Sequence, residues 1–199
     1  MKKRENKLNL ILASGSPRRK QLLGYLNIPF EIKTADIDEV SNKESPEEQA
    51  CDISEQKGRA VFENIEAGDF LIISSDTMVI LDGEIFGKPG NKENARVMLN
   101  KLSGKTHEVV TAVSFIDKSG EAINFFDKTK VSFNQIDPEL LEEYLDTEDS
   151  LDKAGAYGIQ GASLTFISQI EGSYSNVVGF PLEKVIQKLK ENGYWTKLR

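Results

Sequence analysis

Leu8-Asn-Leu-Ile-Leu-Ala-Ser14-Gly-Ser16-Pro17-Arg18-Arg19-Lys20-Gln-Leu-Leu23 reads as a short buried strand, a turn of small residues and a helix, the unit from which an α/β protein is built. Ser16 stands where an N-cap belongs, and Pro17 takes the first helical position, which suits its fixed φ and missing N–H. Arg18 and Arg19 then fall in the first turn, where the helix dipole already makes the site positive. Cations are unfavourable there by about 0.3–1 kcal/mol each at an exposed end. Two arginines set against that field point to an anion that outweighs it, and phosphate is the usual one at a helix N-terminus. The other reading is a capped surface helix whose arginines face water, and this segment alone leaves both open.

A chain of 199 residues suits one domain, or one core divided into two lobes. We therefore expect a single domain over residues 1–199. Hydrophobic residues are 39% and charged residues 29%, which fits neither a membrane protein nor a disordered one. The net charge of −7 argues against a protein that coats nucleic acid, so a phosphate site must be a local basic pocket on an acidic body. Cys51 is the only cysteine, which excludes an intramolecular disulfide and a thiolate metal cluster and agrees with a reducing compartment. His107 is the only histidine and is expected to be structural. The start Met1-Lys-Lys-Arg-Glu-Asn-Lys7 followed by Leu8–Ala13 mimics a signal peptide, but its apolar part is short and no cleavage-like site follows. The expectation is a cytoplasmic protein without a membrane span.

Further along, 29–34 reads as a second strand ending in the acidic loop Ala35-Asp36-Ile37-Asp38-Glu39. Ser45-Pro46-Glu47-Glu48 is a capping box, and its helix is expected to run to about Ala67. Asp69-Phe-Leu-Ile-Ile-Ser-Ser75-Asp76-Thr77 is an apolar strand ending in polar residues, or one long strand reaching Leu81. Asp82-Gly83 is a hairpin turn signal, and Gly87-Lys88-Pro89-Gly90 is a rigid loop presenting one lysine. A helix is predicted over 95–102 and long strands over 106–116 and 123–133. A helix opens at Asp137-Pro138, a glycine-rich loop covers 154–161, a strand spans 164–170 and a last helix spans 181–189. The alternation predicts an α/β fold with a mixed sheet, because adjacent long hairpins are incompatible with a purely parallel one.

Three places can hold chemistry at strand ends or adjoining loops: Ser14–Arg19, Ser75-Asp76-Thr77 and Gly87-Lys88-Pro89. Asp76, directly after Leu-Ile-Ile-Ser-Ser, is suited to bind a divalent metal or activate water, or else to cap a turn. Asp36, Asp38 and Glu39 could complete an oxygen-rich Mg²⁺ site or simply be solvated. Lys57 and Lys88 offer point charges for phosphate. Gln160 could read a base edge through its paired donor and acceptor. No Walker-type loop and no Gly-x-Ser-x-Gly elbow occurs. The remaining carboxylates, lysines, arginines and amide suit metal-assisted attack of water on a polyphosphate.

Leu12-Ala-Ser-Gly-Ser-Pro-Arg-Arg19, Ser75-Asp-Thr77, Gly87-Lys-Pro89, Leu102-Ser-Gly-Lys-Thr-His107, Leu151-Asp-Lys-Ala-Gly-Ala-Tyr-Gly-Ile-Gln-Gly161 and Glu171-Gly-Ser-Tyr-Ser-Asn-Val-Val-Gly179 occur in this order. Together they resemble the Maf family, septum-formation-inhibitor-like nucleoside triphosphate pyrophosphatases, from about Leu8 to the final helix. The resemblance implies a mixed twisted sheet flanked by helices, with two lobes and a central cleft as in inosine triphosphate pyrophosphatases. It also implies hydrolysis of a nucleoside triphosphate to the monophosphate and pyrophosphate with a divalent cation, Mg²⁺ or Mn²⁺. By motif, Asp76 matches the proton acceptor or metal-linked acid, with Glu39 helping to hold the metal. Ser14, Arg19, Glu39, Lys57 and Lys88 match polar residues of the cleft, and Arg18, Thr77 and Gln160 match positions tied to substrate choice.

The 152–161 segment is similar to the branch acting on dTTP and UTP. Two departures from the family pattern stand out: Ser74-Ser75 precede Asp76 in place of the common Gly-Ala, and Ser54-Glu-Gln-Lys57-Gly58 replaces the usual setting of the lysine. The first is expected to narrow the cleft slightly. The implied partner is a small-molecule nucleoside triphosphate, with no nucleic acid or membrane, and homodimer assembly is left open. The alternative function is a nucleotide-binding regulator of septum formation with little hydrolysis.

Overall fold

The computed structural model describes residues 8–199; the basic start of the leader-like stretch, residues 1–7, lies outside them. Strands β1 (Asn9–Leu12), β2 (Phe30–Ile32), β3 (Phe70–Leu81), β4 (Glu84–Phe86), β5 (Thr106–Asp117), β6 (Ala122–Phe133) and β7 (Ile167–Glu171) form one sheet. Its order is β2-β1-β3-β5-β6-β7, with β4 added to β3. β1 runs parallel to β2 and β3, and the other pairs are antiparallel. The sheet is mixed, as expected. Parallel neighbours need crossovers, and α1 (Pro17–Gly24) and α2 (Pro46–Phe62) supply them. The remaining helices are α3 (Lys92–Leu102), α4 (Pro138–Asp146), α5 (Tyr174–Val178), α6 (Leu182–Glu191) and α7 (Tyr194–Leu198). None of the described helices is long and apolar enough to cross a membrane.

The predicted caps are in place. Ser16 accepts from the Arg19 amide at 3.5 Å, and Ser45 and Glu48 exchange the two bonds of a capping box at 3.2 and 3.3 Å. Asp82 and Gly83 both take positive φ, 53° and 83°, the pairing required by the two-residue turn between β3 and β4. Four expectations are corrected. α2 ends at Phe62 rather than near Ala67. Residues Ala162–Phe166 form a 3-10 turn, so β7 begins only at Ile167. The last predicted helix is shifted to Leu182–Glu191, and α7 follows it. Asp76 lies inside β3, which runs unbroken to Leu81 as the second of the two readings had it, rather than at a strand end.

The environment of Asp76 follows from how β3 is paired. One edge is matched to β5 from Leu71 to Ile80. The other edge is matched to β1 over Phe70–Ile73 and to β4 only over Val79–Leu81. Between those two partners the strand has no neighbour, and the sheet is open at Asp76. Alternation then sorts the side chains. Leu71 and Ile73 join one apolar cluster with β1, α1 and α6, while Val79 and Leu81 join a second with α3 and α4. These clusters are the two lobes. On the opposite face α2 lies close to the sheet. A Cβ at Gly58 would sit 2.8 Å from both Ile116 Cδ1 and Ser74 Oγ, and Ser74 donates to the Ser54 carbonyl at 2.6 Å.

Candidate active site

The opening in the sheet is the floor of a cavity of about 940 Å³, large enough for a nucleotide-sized ligand. Three loops wall it: Ala13–Arg19 after β1, Thr34–Ser41 after β2, and Gly87-Lys88 after β4. Segment 152–160 closes the remaining side. Ser14, Arg18, Arg19, Glu39, Lys57, Asp76, Thr77, Lys88 and Gln160 all line this cavity. The structure thus brings together every site residue expected from the sequence. Asp36 also lines the wall, whereas Asp38 does not.

Asp76 faces α2, and Lys57 reaches it from there. Lys57 lies one helical turn after Ser54 and next to Gly58, both buried against the sheet, so its stem leaves along the helix face that meets β3. Its Nζ is 2.6 Å from Asp76 Oδ1 and 3.0 Å from Glu39 Oε1. The Lys57 and Asp76 side chains are only 17% and 10% exposed, so each charge needs the other as a partner. The sequence setting around Lys57 departs from the family pattern, yet this lysine is the one bound to the central carboxylate. Lys88 has no acidic partner within 4 Å among the described residues, which leaves its charge available to an anion.

Thr77 points to the other face, where Arg19 fills the wall. Arg19 donates from Nε to the Gly179 carbonyl at 3.0 Å, from Nη1 to Ser14 Oγ at 3.3 Å and from Nη2 to Thr77 Oγ1 at 3.2 Å. Burial pushes its pKa down and the nearby Asp76 charge opposes that shift; an arginine stays protonated throughout the working range. Arg18 instead reaches Asp152 Oδ2 at 3.3 Å. Desolvation works to raise the Asp152 carboxyl, but the hydrogen bond from Lys153 and the charge of Arg18 hold it below the usual range.

The expected narrowing of the cleft by Ser74 and Ser75 is not found. Both are fully buried; Ser74 is spent on α2, and Ser75 donates to the Gly179 carbonyl at 3.1 Å. His107 is buried too, with Nε2 2.7 Å from the Tyr157 hydroxyl, and its role is structural as expected. Sequence reasoning assigned no role to Gly179, whose carbonyl receives Arg19, or to Asn176. The Asn176 amide donates to the Val109 carbonyl and to Thr129 Oγ1, each at 2.9 Å, and so fixes α5 against β5 and β6. The available signal was the motif Glu171–Gly179, which contains both.

Asp76 and Glu39 are oxygen donors meeting on one lysine. Among the described residues no group of three or more metal-ligating side chains occurs. A pair of carboxylates completed by phosphate oxygens is the usual way magnesium is held beside a nucleotide, so the donor set fits such an ion.

The sequence matches the Maf-like protein profile over residues 9–192. The chain belongs to the Maf family. It is 44% identical over 188 residues to a dTTP/UTP pyrophosphatase of Thermotoga maritima, covering 94% of this chain and 91% of that one. It is 45% identical over 183 residues to a dTTP/UTP pyrophosphatase of Pyrococcus abyssi, covering 91% and 95%. A Bacillus cereus dTTP/UTP pyrophosphatase is 41% identical over 191 residues, covering 96% and 93%. Among solved structures, a HAM1 protein from Coxiella burnetii superposes with a TM-score of 0.51 at 12% identity, covering 92% of this Maf chain and 99% of that one. At that identity the likeness concerns the fold alone.

Proposed function

We propose that this Maf-family chain is a nucleoside triphosphate pyrophosphatase that hydrolyses dTTP and UTP to the monophosphate and pyrophosphate. The observation that carries the reading is the Glu39–Lys57–Asp76 cluster at the floor of a cavity whose other wall is cationic, in a chain 41–45% identical to proteins of that name. Asp76 accepts the proton of a water that attacks the α-phosphorus. The α–β anhydride bond breaks and pyrophosphate leaves. Lys57 holds the Asp76 carboxylate in place for that water. Arg18, Lys88 and the helix N-terminus after Ser16 meet the triphosphate charge. Arg19, already bound to Ser14, Thr77 and Gly179, fixes the wall beside it, and Thr77 and Gln160 face the pyrimidine.

A magnesium or manganese ion held by Asp76 and Glu39 supplies Lewis-acid neutralisation of the phosphate oxygens when bound. A cytoplasmic setting is supported by the single cysteine, and the net charge of −7 disfavours nucleic acid as a partner.

The test is a panel of dTTP, UTP, CTP, dCTP, GTP, 7-methyl-GTP and ATP with Mg²⁺, the products being separated by chromatography. Selective release of monophosphate and pyrophosphate from dTTP and UTP is expected. Diphosphate with orthophosphate would place attack at the γ-phosphorus and overturn the mechanism. Absence of turnover, with dTTP still raising the melting temperature, would turn the reading to a nucleotide-binding regulator.

A further inference from the structure

Segment 152–161 carries Gln160 to the cavity in a backbone conformation that needs external support. Gly155 has φ of 68° and Ala156 follows with φ of 63°. A left-handed alanine is costly and persists only where its surroundings over-determine it. Three tethers do so here. The Gly155 amide donates to the Gly87 carbonyl at 3.1 Å, and the Tyr144 hydroxyl donates to the Ala156 carbonyl at 3.2 Å. The third is the Tyr157 hydroxyl, 2.7 Å from His107 Nε2.

That third tether explains why a histidine stands at position 107. The ring is 1% exposed, it does not line the cavity, and it packs edge-on against Phe133 and Tyr157 at centroid distances of 4.9 and 5.3 Å. An apolar ring would fill this place without burying two nitrogens. His107 Nδ1 has no partner among the described residues, so the bond to Tyr157 is the polar interaction the ring makes. Buried polar groups are costly unless hydrogen-bonded, and here that bond ends on a residue of the cavity wall, three positions before Gln160.

We propose that His107 is a positioning residue for nucleobase recognition, holding segment 152–161, and Gln160 with it, against the cavity through Tyr157. The proposal rests on the dTTP/UTP pyrophosphatase reading. A segment released from its tether occupies the binding-competent position for a smaller fraction of the time, and apparent affinity falls by that fraction. Asp152, which holds Arg18, stays tied through Lys153 to Asp149, so the stretch freed is 157–160 and the effect falls on the base rather than on the triphosphate.

Tyr157→Phe removes the hydroxyl and keeps the ring packing. With the full-length protein, the KM for dTTP is expected to rise roughly three- to tenfold, the range for one lost buried hydrogen bond. The inhibition constant of inorganic triphosphate, which has no base, should stay where it is. His107→Phe should repeat this pattern, and His107→Gln, which can still reach the hydroxyl with an amide, should restore part of the loss. An unchanged KM for dTTP in a folded Tyr157→Phe variant would overturn the proposal. So would a parallel rise in both constants, which signals general distortion of the site. Wild-type activity is scored first: a wild type that does not hydrolyse dTTP removes the underlying reading before any variant is compared.

Discussion

Asp76 and Thr77 are adjacent in β3 and serve opposite faces of the same sheet. Asp76 takes Lys57 from α2 at 2.6 Å, whereas Thr77 takes Arg19 from α1 at 3.2 Å. Strand alternation makes this division unavoidable. It becomes useful because the sheet is open at this point, so that one cavity reaches both side chains. The Asp76 carboxylate and the Arg19 guanidinium are therefore anchored to positions one peptide unit apart.

Replacing Asp76 with Asn keeps the shape of the side chain and removes its charge. Turnover of dTTP should fall by about 10²–10⁴, the usual contribution of a positioned general base, while dTTP still raises the melting temperature. Initial rates and a thermal-shift titration on one preparation check both parts. Near-wild-type turnover would remove Asp76 from the mechanism.

Arg19→Lys keeps the charge and loses the planar fork. A lysine cannot serve the Gly179 carbonyl, Ser14 and Thr77 from one rigid group, so hydrogen bonds worth about 1.5–3 kcal/mol each when charge-assisted are partly lost. The variant should melt at a lower temperature and show a higher KM for dTTP. Calorimetry and steady-state kinetics give the two numbers, and a silent substitution would show that Arg19 is not a fixed part of the wall.

Gly58→Ala tests whether the closeness of α2 to the sheet sets the position of Lys57. Alanine gains about 1 kcal/mol of helix propensity over glycine. Its Cβ, however, would lie 2.8 Å from Ile116 Cδ1 and from Ser74 Oγ, and overpacking of this kind costs about 1–3 kcal/mol. Net destabilisation is expected. Because the helix must lift, the kcat measured well below the melting temperature should fall as well. A stabilised variant with unchanged kcat would mean that the sheet yields instead of the helix.

Burial lowers the His107 pKa from 6.5 to about 4. The unfolded chain therefore takes up this proton before the folded one does. The stability that neutral His107 contributes is complete above pH 6.5 and is lost as the pH falls toward about 4. The shift corresponds to about 3 kcal/mol at most. Denaturant unfolding of the wild type and of His107→Gln at a series of pH values between 7 and 4 should give curves that converge on acidification. His107 is the only histidine, so the difference between the two proteins isolates it from the carboxylates. Parallel curves would refute the assignment.

Much of this site was readable because its parts are short local patterns. Ser16-Pro17 and the Ser45–Glu48 box announce their helices through backbone chemistry that depends on four residues, and both caps are found where they were read. Asp82-Gly83 is similar. Asp76 was misplaced to a strand end for a non-local reason. Its access to the cavity depends on β1 stopping at Leu12 and β4 stopping at Phe86, opposite Val79, and nothing near Asp76 in the chain records either boundary. Lys57 was similarly opaque, since its distance to a carboxylate nineteen positions on is fixed by the Gly58 and Ser74 contact across two elements. The strand predicted over 164–170 was begun three residues too early, because a short apolar run does not distinguish a strand from a helical turn.

Three strands of the sheet pass through both apolar clusters. Leu71 and Ile73 of β3, Val113 and Phe115 of β5, and Phe125 of β6 belong to one; Val79 and Leu81, Val109, and Val131 and Phe133 belong to the other. The two halves are thus joined by continuous strands rather than by a linker. The twist of this continuous three-stranded ribbon therefore sets the separation of the two halves. A distortion anywhere along its length would then be felt as a change in jaw width at Asp76.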